Sequence, residues 1–193
     1  MNLLELQNIT AYTKNNPITD PSQIDSEKLK WNKMDEDWIS RIRENNQFWF
    51  TEYKFNPNDF LPHQLPHIPK IFELRDHILK FGGEQACMPV IDTDADKILS
   101  RGQFWYGDIM RMKKGEPSRC HSNSAELWDS NRDGLKIVTG YALAEDGMWN
   151  QHSWCIQVRP RKNIILETTF PRVGYFGFVL TDEEAEDFIE NNC

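Results

Sequence analysis

The chain has 193 residues and a formal net charge of −8, a length that suits one domain or one domain with an N-terminal extension. Acidity without a basic run longer than Arg111-Met112-Lys113-Lys114 excludes a surface that tracks nucleic-acid phosphates, and 39% hydrophobic residues with seven Trp exclude disorder for want of apolar surface. The segment Met1-Asn2-Leu3-Leu4-Glu5-Leu6 has no basic n-region and no window reaches the length of a membrane span, so the expectation is a cytoplasmic protein with no membrane partner.

In chain order, Leu3, Leu4, Leu6 and Ile9 predict a short amphipathic helix that Asn15-Asn16-Pro17 stops. A second helix is predicted from Asp35 to Asn46, with Trp38, Ile39 and Ile42 on one stripe, and Gln47 to Phe55 reads as extended and aromatic, with helix as the alternative. Four prolines between residues 56 and 70 exclude regular structure there. Ile71 to Lys80 reads as a helix closed by Gly82-Gly83. Residues 84 to 100 carry no clear period. Asp92-Thr93-Asp94-Ala95-Asp96 opens like a calcium loop, but it lacks that loop's glycine and has Gln103 where its twelfth-position glutamate belongs, so it reads as a capped helix start.

The pattern changes from Gln103 onward. Gln103 to Met112 reads as a strand, Ser118 to Ser130 as a helix, and Lys136 to Leu143 as a strand before turn material at Asp146-Gly147. Met148 to Val158, Asn163 to Thr169 and Gly174 to Leu180 read as further strands, and Thr181-Asp182-Glu183-Glu184 caps a last helix through Ile189. A helix, then antiparallel strands, then a helix is an α+β order. The expected division is an N-terminal helical and irregular region, 1–100, packed on an α+β core, 101–193.

Four cysteines with no CxxC pair read as reduced thiols, with Cys193 exposed at the terminus. Cys120 stands out because its neighbours Ser118, Arg119, His121 and Asn123 are polar and because it opens a predicted helix, where the N-terminus favours a thiolate. His152 and Glu167 follow on successive strands. If residues 159–162 form a four-residue loop, Val158 pairs with Asn163, His152 lies opposite Thr169, and Glu167 becomes the diagonal neighbour of His152 on one face, ~7–8 Å away at the backbone. A loop one residue longer or shorter turns Glu167 to the wrong face. The same alternation points Cys155 away from His152, which argues against a metal site on His152-x-x-Cys155. His121 is a rival base, but an adjacent helical residue points about 100° away.

The run Cys120-His121-x-Asn123, Gly140-Tyr141-Ala142, Asp146-Gly147-x-Trp149-x-Gln151-His152-Ser153-Trp154, Glu167-Thr168-Thr169 and Tyr175-Phe176-Gly177 resembles a poorly characterised family of bacterial and phage proteins. Its Cys, His, acid order is similar to papain-like and transglutaminase-like cysteine hydrolases, over roughly residues 101 to 193. The resemblance implies a papain-like α+β fold, a small antiparallel sheet of four to six strands on the Cys-bearing helix, with Cys120 as nucleophile, His152 as base and Glu167 as orienter. Papain-like proteases usually carry Asn or Asp third. Their oxyanion-hole Gln lies just before the Cys, whereas Gln103 lies much farther upstream.

The expected activity is cysteine-dependent hydrolysis or acyl transfer on a peptide, protein or small amide or thioester, with no cofactor and no metal. Asn123 is expected to support the helix or contact substrate, and Trp149 to line a cleft beside the turn. Two alternatives stand beside this reading. One is a non-catalytic module that grips a peptide or protein on the same fold; the other is a metal-binding protein using Cys120, His121 and His152. His63 and His67 also have a spacing found in zinc sites, without cysteines nearby.

Overall fold

The computed structural model describes residues 17–32, 36–47, 50, 53–159 and 163–193. The predicted helix at Leu3–Ile9 and the loop residues 160–162 lie outside the described residues. Five α-helices occur among the described residues: α1 (Glu36–Asn46), α2 (Ile68–Leu79), α3 (Ala95–Arg101), α4 (Cys120–Asp129) and α5 (Asp182–Asn192). Seven strands form one sheet: β1 (Gln85–Cys87), β2 (Gln103–Tyr106), β3 (Met110–Met112), β4 (Leu135–Leu143), β5 (Met148–Gln157), β6 (Ile164–Glu167) and β7 (Gly174–Val179). The fold is α+β, as its order of elements predicts.

The sheet departs from the expected all-antiparallel arrangement. Its order is β2-β7-β4-β5-β6-β3, β1 pairs with β5 in parallel and β3 pairs with β6 in parallel, so it is a mixed sheet of seven strands. The predicted strand over Gln103–Met112 is two strands broken by a 3-10 turn, Gly107–Ile109. That break has a large effect on shape. β2 and β3 are the two ends of the strand order, and a chain from Tyr106 to Met110 spans at most about 14 Å. The ends of the sheet are therefore drawn together and the sheet curls.

Curling divides the apolar residues into two sets. Inside the curl lie Trp105, Val138, Ala142, Trp154, Ile156, Ile165 and Tyr175, all buried. On the outer face a larger core joins Ile137, Tyr141, Cys155, Phe176 and Phe178 of the sheet to Leu74 and Ile78 of α2, Ile98 of α3, Trp128 of α4 and Ala185 of α5. The helices thus pack outside and the alternation of each strand fills both sides. Leu29, Ile71 and Ala86 share this outer core with residues beyond 100.

Some boundaries differ for local reasons. α2 begins at Ile68, inside the stretch expected to be irregular, because Pro69 occupies the first turn, where a missing N–H costs nothing. α3 follows Asp92, whose carboxylate accepts from the Asp94 amide, so the acidic run is a helix entry. Gly147 takes φ +84° in the β4–β5 turn. α5 starts with a full capping box between Thr181 and Glu184. The described residues of Gln47–Phe55 contain no strand.

Candidate active site

The β5–β6 register has the predicted sum: Cys155 pairs with Leu166, Ile156 with Ile165 and Gln157 with Ile164. Glu167 and His152 consequently share the inner face. His152 Nε2 lies 2.8 Å from Glu167 Oε2, both residues are buried, and the imidazole lies parallel to Trp154 at 6.1 Å between ring centroids.

Every contact to the Glu167 carboxylate comes from a donor. The Thr169 amide and hydroxyl donate to Oε1 at 2.8 and 3.0 Å, and the Tyr175 hydroxyl donates to Oε2 at 3.0 Å. An ionised carboxylate only accepts, so His152 presents Nε2–H to it and turns Nδ1 toward the thiol. Burial pushes the Glu167 carboxyl up, but the bond to His152, its positive charge and the Thr169 donors outweigh this and hold it at about 2. Two of the sequence's candidates are thereby locked together.

Cys120 is the first residue of α4 and half-buried, and the imidazoles of both His121 and His152 lie close enough to act on its thiol. Burial pushes the thiol up; the two imidazoles outweigh it and bring it down to about 5. Burial likewise pushes His152 down, and the bonds to Cys120 and Glu167 raise it above the usual imidazole range. The pair therefore favours thiolate and imidazolium.

α4 packs on the outer face of the sheet, where the Cys155 thiol donates to the Ser124 carbonyl at 3.4 Å, yet His152 belongs to the inner face. A gap in the sheet reconciles the two. On the side of β5 away from β4, β1 pairs only with residues 148–150 and β6 only with 155–157, leaving Gln151 to Trp154 without a strand partner. The first turn of α4 meets β5 at this opening, so its thiol reaches a side chain from inside the curl.

Asn123 supports the approach to that turn. Its Oδ1 accepts from the Glu116 amide at 3.1 Å and its Nδ2 donates to the Glu116 carbonyl at 2.8 Å, which ties the incoming loop to the helix. The loop is anchored on β6 as well, through Lys113 N–H to Glu167 O and Gly115 N–H to Thr168 O. Ser118 turns the chain with φ 59° just before Cys120.

Two predicted site residues are not brought there. Gln103 sits on β2, aligned with Gly177, Gly140 and then His152 across the sheet; three strand spacings of about 4.8 Å place it about 14 Å from His152. It is too far to donate to an oxyanion at Cys120. Trp149 faces the outer core, fully buried, with its Nε1–H on the Gly82 carbonyl, and it lines no cleft. Conversely, His121 joins the thiol although adjacency on one helix argues against it. Its Nδ1 lies 2.7 Å from Ser153 Oγ, an outward residue of β5, so the two imidazoles approach the sulfur from opposite faces of that strand. The alternation His152/Ser153 was the signal available for this.

Among the described residues no group of three or more His, Cys, Asp or Glu is arranged to hold a metal ion, and no helix is long and apolar enough to cross a membrane. Arg119 is paired with Glu116 at 2.6 Å. No protein-family model matches the chain, and no curated protein and no solved structure matches it.

Proposed function

We propose that this chain is a thiol-dependent hydrolase or acyl transferase acting on an amide, peptide or thioester bond, with a papain-like core and a cytoplasmic location. The observation that carries it is the connected set thiol, imidazole and buried carboxylate, in which the thiol is drawn to about 5 while the imidazole is raised. That combination supplies a nucleophile and a proton donor at neutral pH without a separate deprotonation step.

In the proposed cycle the Cys120 thiolate forms a C–S bond to the carbonyl carbon, and the carbonyl electron pair moves onto oxygen. The His152 imidazolium gives its Nδ1 proton to the departing nitrogen or sulfur as that bond breaks. Glu167 keeps the ring oriented through Nε2–H. Water or an amine then attacks the thioester and the C–S bond breaks, which returns the thiolate. The first amides of α4 lack intrahelical acceptors by position, so the Cys120 amide takes the oxyanion role expected of Gln103.

The test is rapid mixing with p-nitrophenyl acetate. A burst of p-nitrophenol stoichiometric with protein, absent from Cys120→Ala and accompanied by a 42 Da mass addition ~(one acetyl group) on the peptide containing Cys120, supports the reading. A protein with no burst and no acylated Cys120 overturns it in favour of the binding module.

A further inference from the structure

The two imidazoles on the Cys120 thiol are held by different chemistry. His152 is fixed by a carboxylate inside the curl, whereas His121 leans on a hydroxyl pair outside it: Ser153 Oγ lies 2.7 Å from His121 Nδ1 and donates to Thr139 Oγ1 at 3.0 Å. With its proton committed to Thr139, Ser153 Oγ accepts from His121. Once Cys120 is acylated and carries no charge, this leaves the proton of His121 on Nδ1 and a lone pair on Nε2. His152 has the opposite arrangement, with Nε2–H on the carboxylate.

The spaces around the rings differ too. His152 is buried, in contact with Trp154 and Tyr175. His121 and Thr139 line an open cleft of about 450 Å³ on the outer face, together with Gln151 of β5 and Asp187 and Phe188 of α5. Phe188 stands edge-on to the His121 ring at 6.0 Å. The cleft gives a water or a small amine a path to the His121 ring, on the side of β5 that His152 does not face.

We propose that His121 is a second catalytic base, which activates the acyl acceptor arriving through this cleft, while His152 serves the leaving group. The inference rests on the acyl-enzyme reading above. After acylation His152 is neutral, having given its proton to the leaving group. The acceptor's lone pair attacks the thioester carbonyl as His121 Nε2 takes its proton, and collapse of the tetrahedral adduct breaks the C–S bond. The thiolate so released takes the proton from His121 and passes it to His152, which restores the resting ion pair. Protons and electrons balance with the acceptor as the sole co-reactant.

The experiment separates the two half-reactions, again with p-nitrophenyl acetate. In His121→Ala the burst persists, because His152 and Glu167 remain, while steady-state release of p-nitrophenol falls about 10²-fold, a usual loss for a missing general base. Added imidazole, small enough for the cleft, restores turnover in a saturable manner. Thr139→Val frees the Ser153 proton to turn toward His121 and favours the wrong tautomer, so it slows turnover several-fold with the burst intact. It also serves if His121→Ala does not fold. Unchanged turnover in a folded His121→Ala, or in Thr139→Val when that is the variant available, overturns the proposal and leaves the triad standing. Loss of the burst in a folded His121→Ala overturns it as well, by assigning His121 to the attack itself. A wild-type protein without a burst removes the triad reading and this inference together.

Discussion

Cys120 and Cys155 are within one helical turn of each other's contacts and differ widely in acidity. Cys155 donates to the Ser124 carbonyl, four residues along the helix that Cys120 begins, and burial alone pushes it up to about 12. Cys120, at the helix start, is brought to about 5. Burial acts in the same direction on both. What separates them is the face of β5 each can reach: Cys155 shares β5 with His152 but points outward, and Cys120 comes from another element and meets the ring through the gap in the sheet. Sequence distance to the histidine predicts the wrong cysteine; strand alternation predicts the right one.

The largest expected effect tests this contrast directly. At pH 7 the two acidities imply about a 10⁵-fold difference in thiolate fraction, of which the weaker nucleophilicity of an acidic thiolate takes back roughly three decades. Burial of Cys155 then widens what is left. Iodoacetamide at neutral pH should therefore modify Cys120 on peptide mapping before Cys87, which burial pushes up to about 11, and before Cys155. The Cys120 rate should stay level from neutral pH downward and fall only through about pH 5. Labelling of Cys120 that required denaturant would erase the contrast.

Replacing Glu167 with Gln sharpens the comparison by making Cys120 more like its neighbour. All four contacts to the carboxylate are donors, so the amide NH₂ faces at least one donor it cannot accept from. The lost opposite charge lets His152 fall, and the Cys120 rate profile should move upward by about 1–3 pH units. An unsatisfied buried donor costs about 1–3 kcal/mol, readable in urea unfolding. A profile that stays at pH 5 would show that the carboxylate does not act through the ring.

Asn123→Ala removes both ties to Glu116 and should cost about 1–2 kcal/mol in the same unfolding measurement. It should also slow Cys120 alkylation while Cys155 stays inert; equal alkylation in the variant would separate loop anchoring from thiol placement. The smallest net effect is on stability against pH, because the thiol and the imidazole act with opposite signs. The Cys120 thiol is more acidic folded than unfolded, so its contribution is complete above the unfolded value of about 8.5 and is lost as pH falls through about 5. His152 is raised and acts with the opposite sign, its contribution being full below about 6.5 and lost as pH rises through its folded value. The melting temperature of the wild type relative to Cys120→Ala should decline from pH 8.5 toward pH 5, and parallel curves would contradict the lowered thiol.

Much of this arrangement is legible in the sequence because period-two alternation is a local property. His152, Trp154 and Ile156 share a face by counting, and the span between Val158 and Asn163 fixes where Glu167 falls. Helix α4 is announced by its polar opening, although it begins two residues later than Ser118. The parallel pairings are not legible. β1 is three residues long and joins β5 after a long excursion, so nothing in Gln85-Ala86-Cys87 marks it as a strand. The places of Gln103 and Trp149 are not legible for a related reason: their distance from Cys120 depends on strand order, which alternation does not encode. His121 escapes the adjacency argument because helix geometry separates neighbours only when both must reach one point along the same direction.

The β5–β6 register has a consequence for the life of the chain before it is folded. A slip of one residue would turn Glu167 out of the curl, and β6 has only four residues in which to settle the alignment. Until that alignment is made, the carboxylate does not act on His152, and the Cys120 thiol is less acidic than in the folded protein. The full acidity of the thiol is thus tied to topology, and a thiol-reactive dye at pH 6 should react faster with the correctly registered molecules of a mixed population.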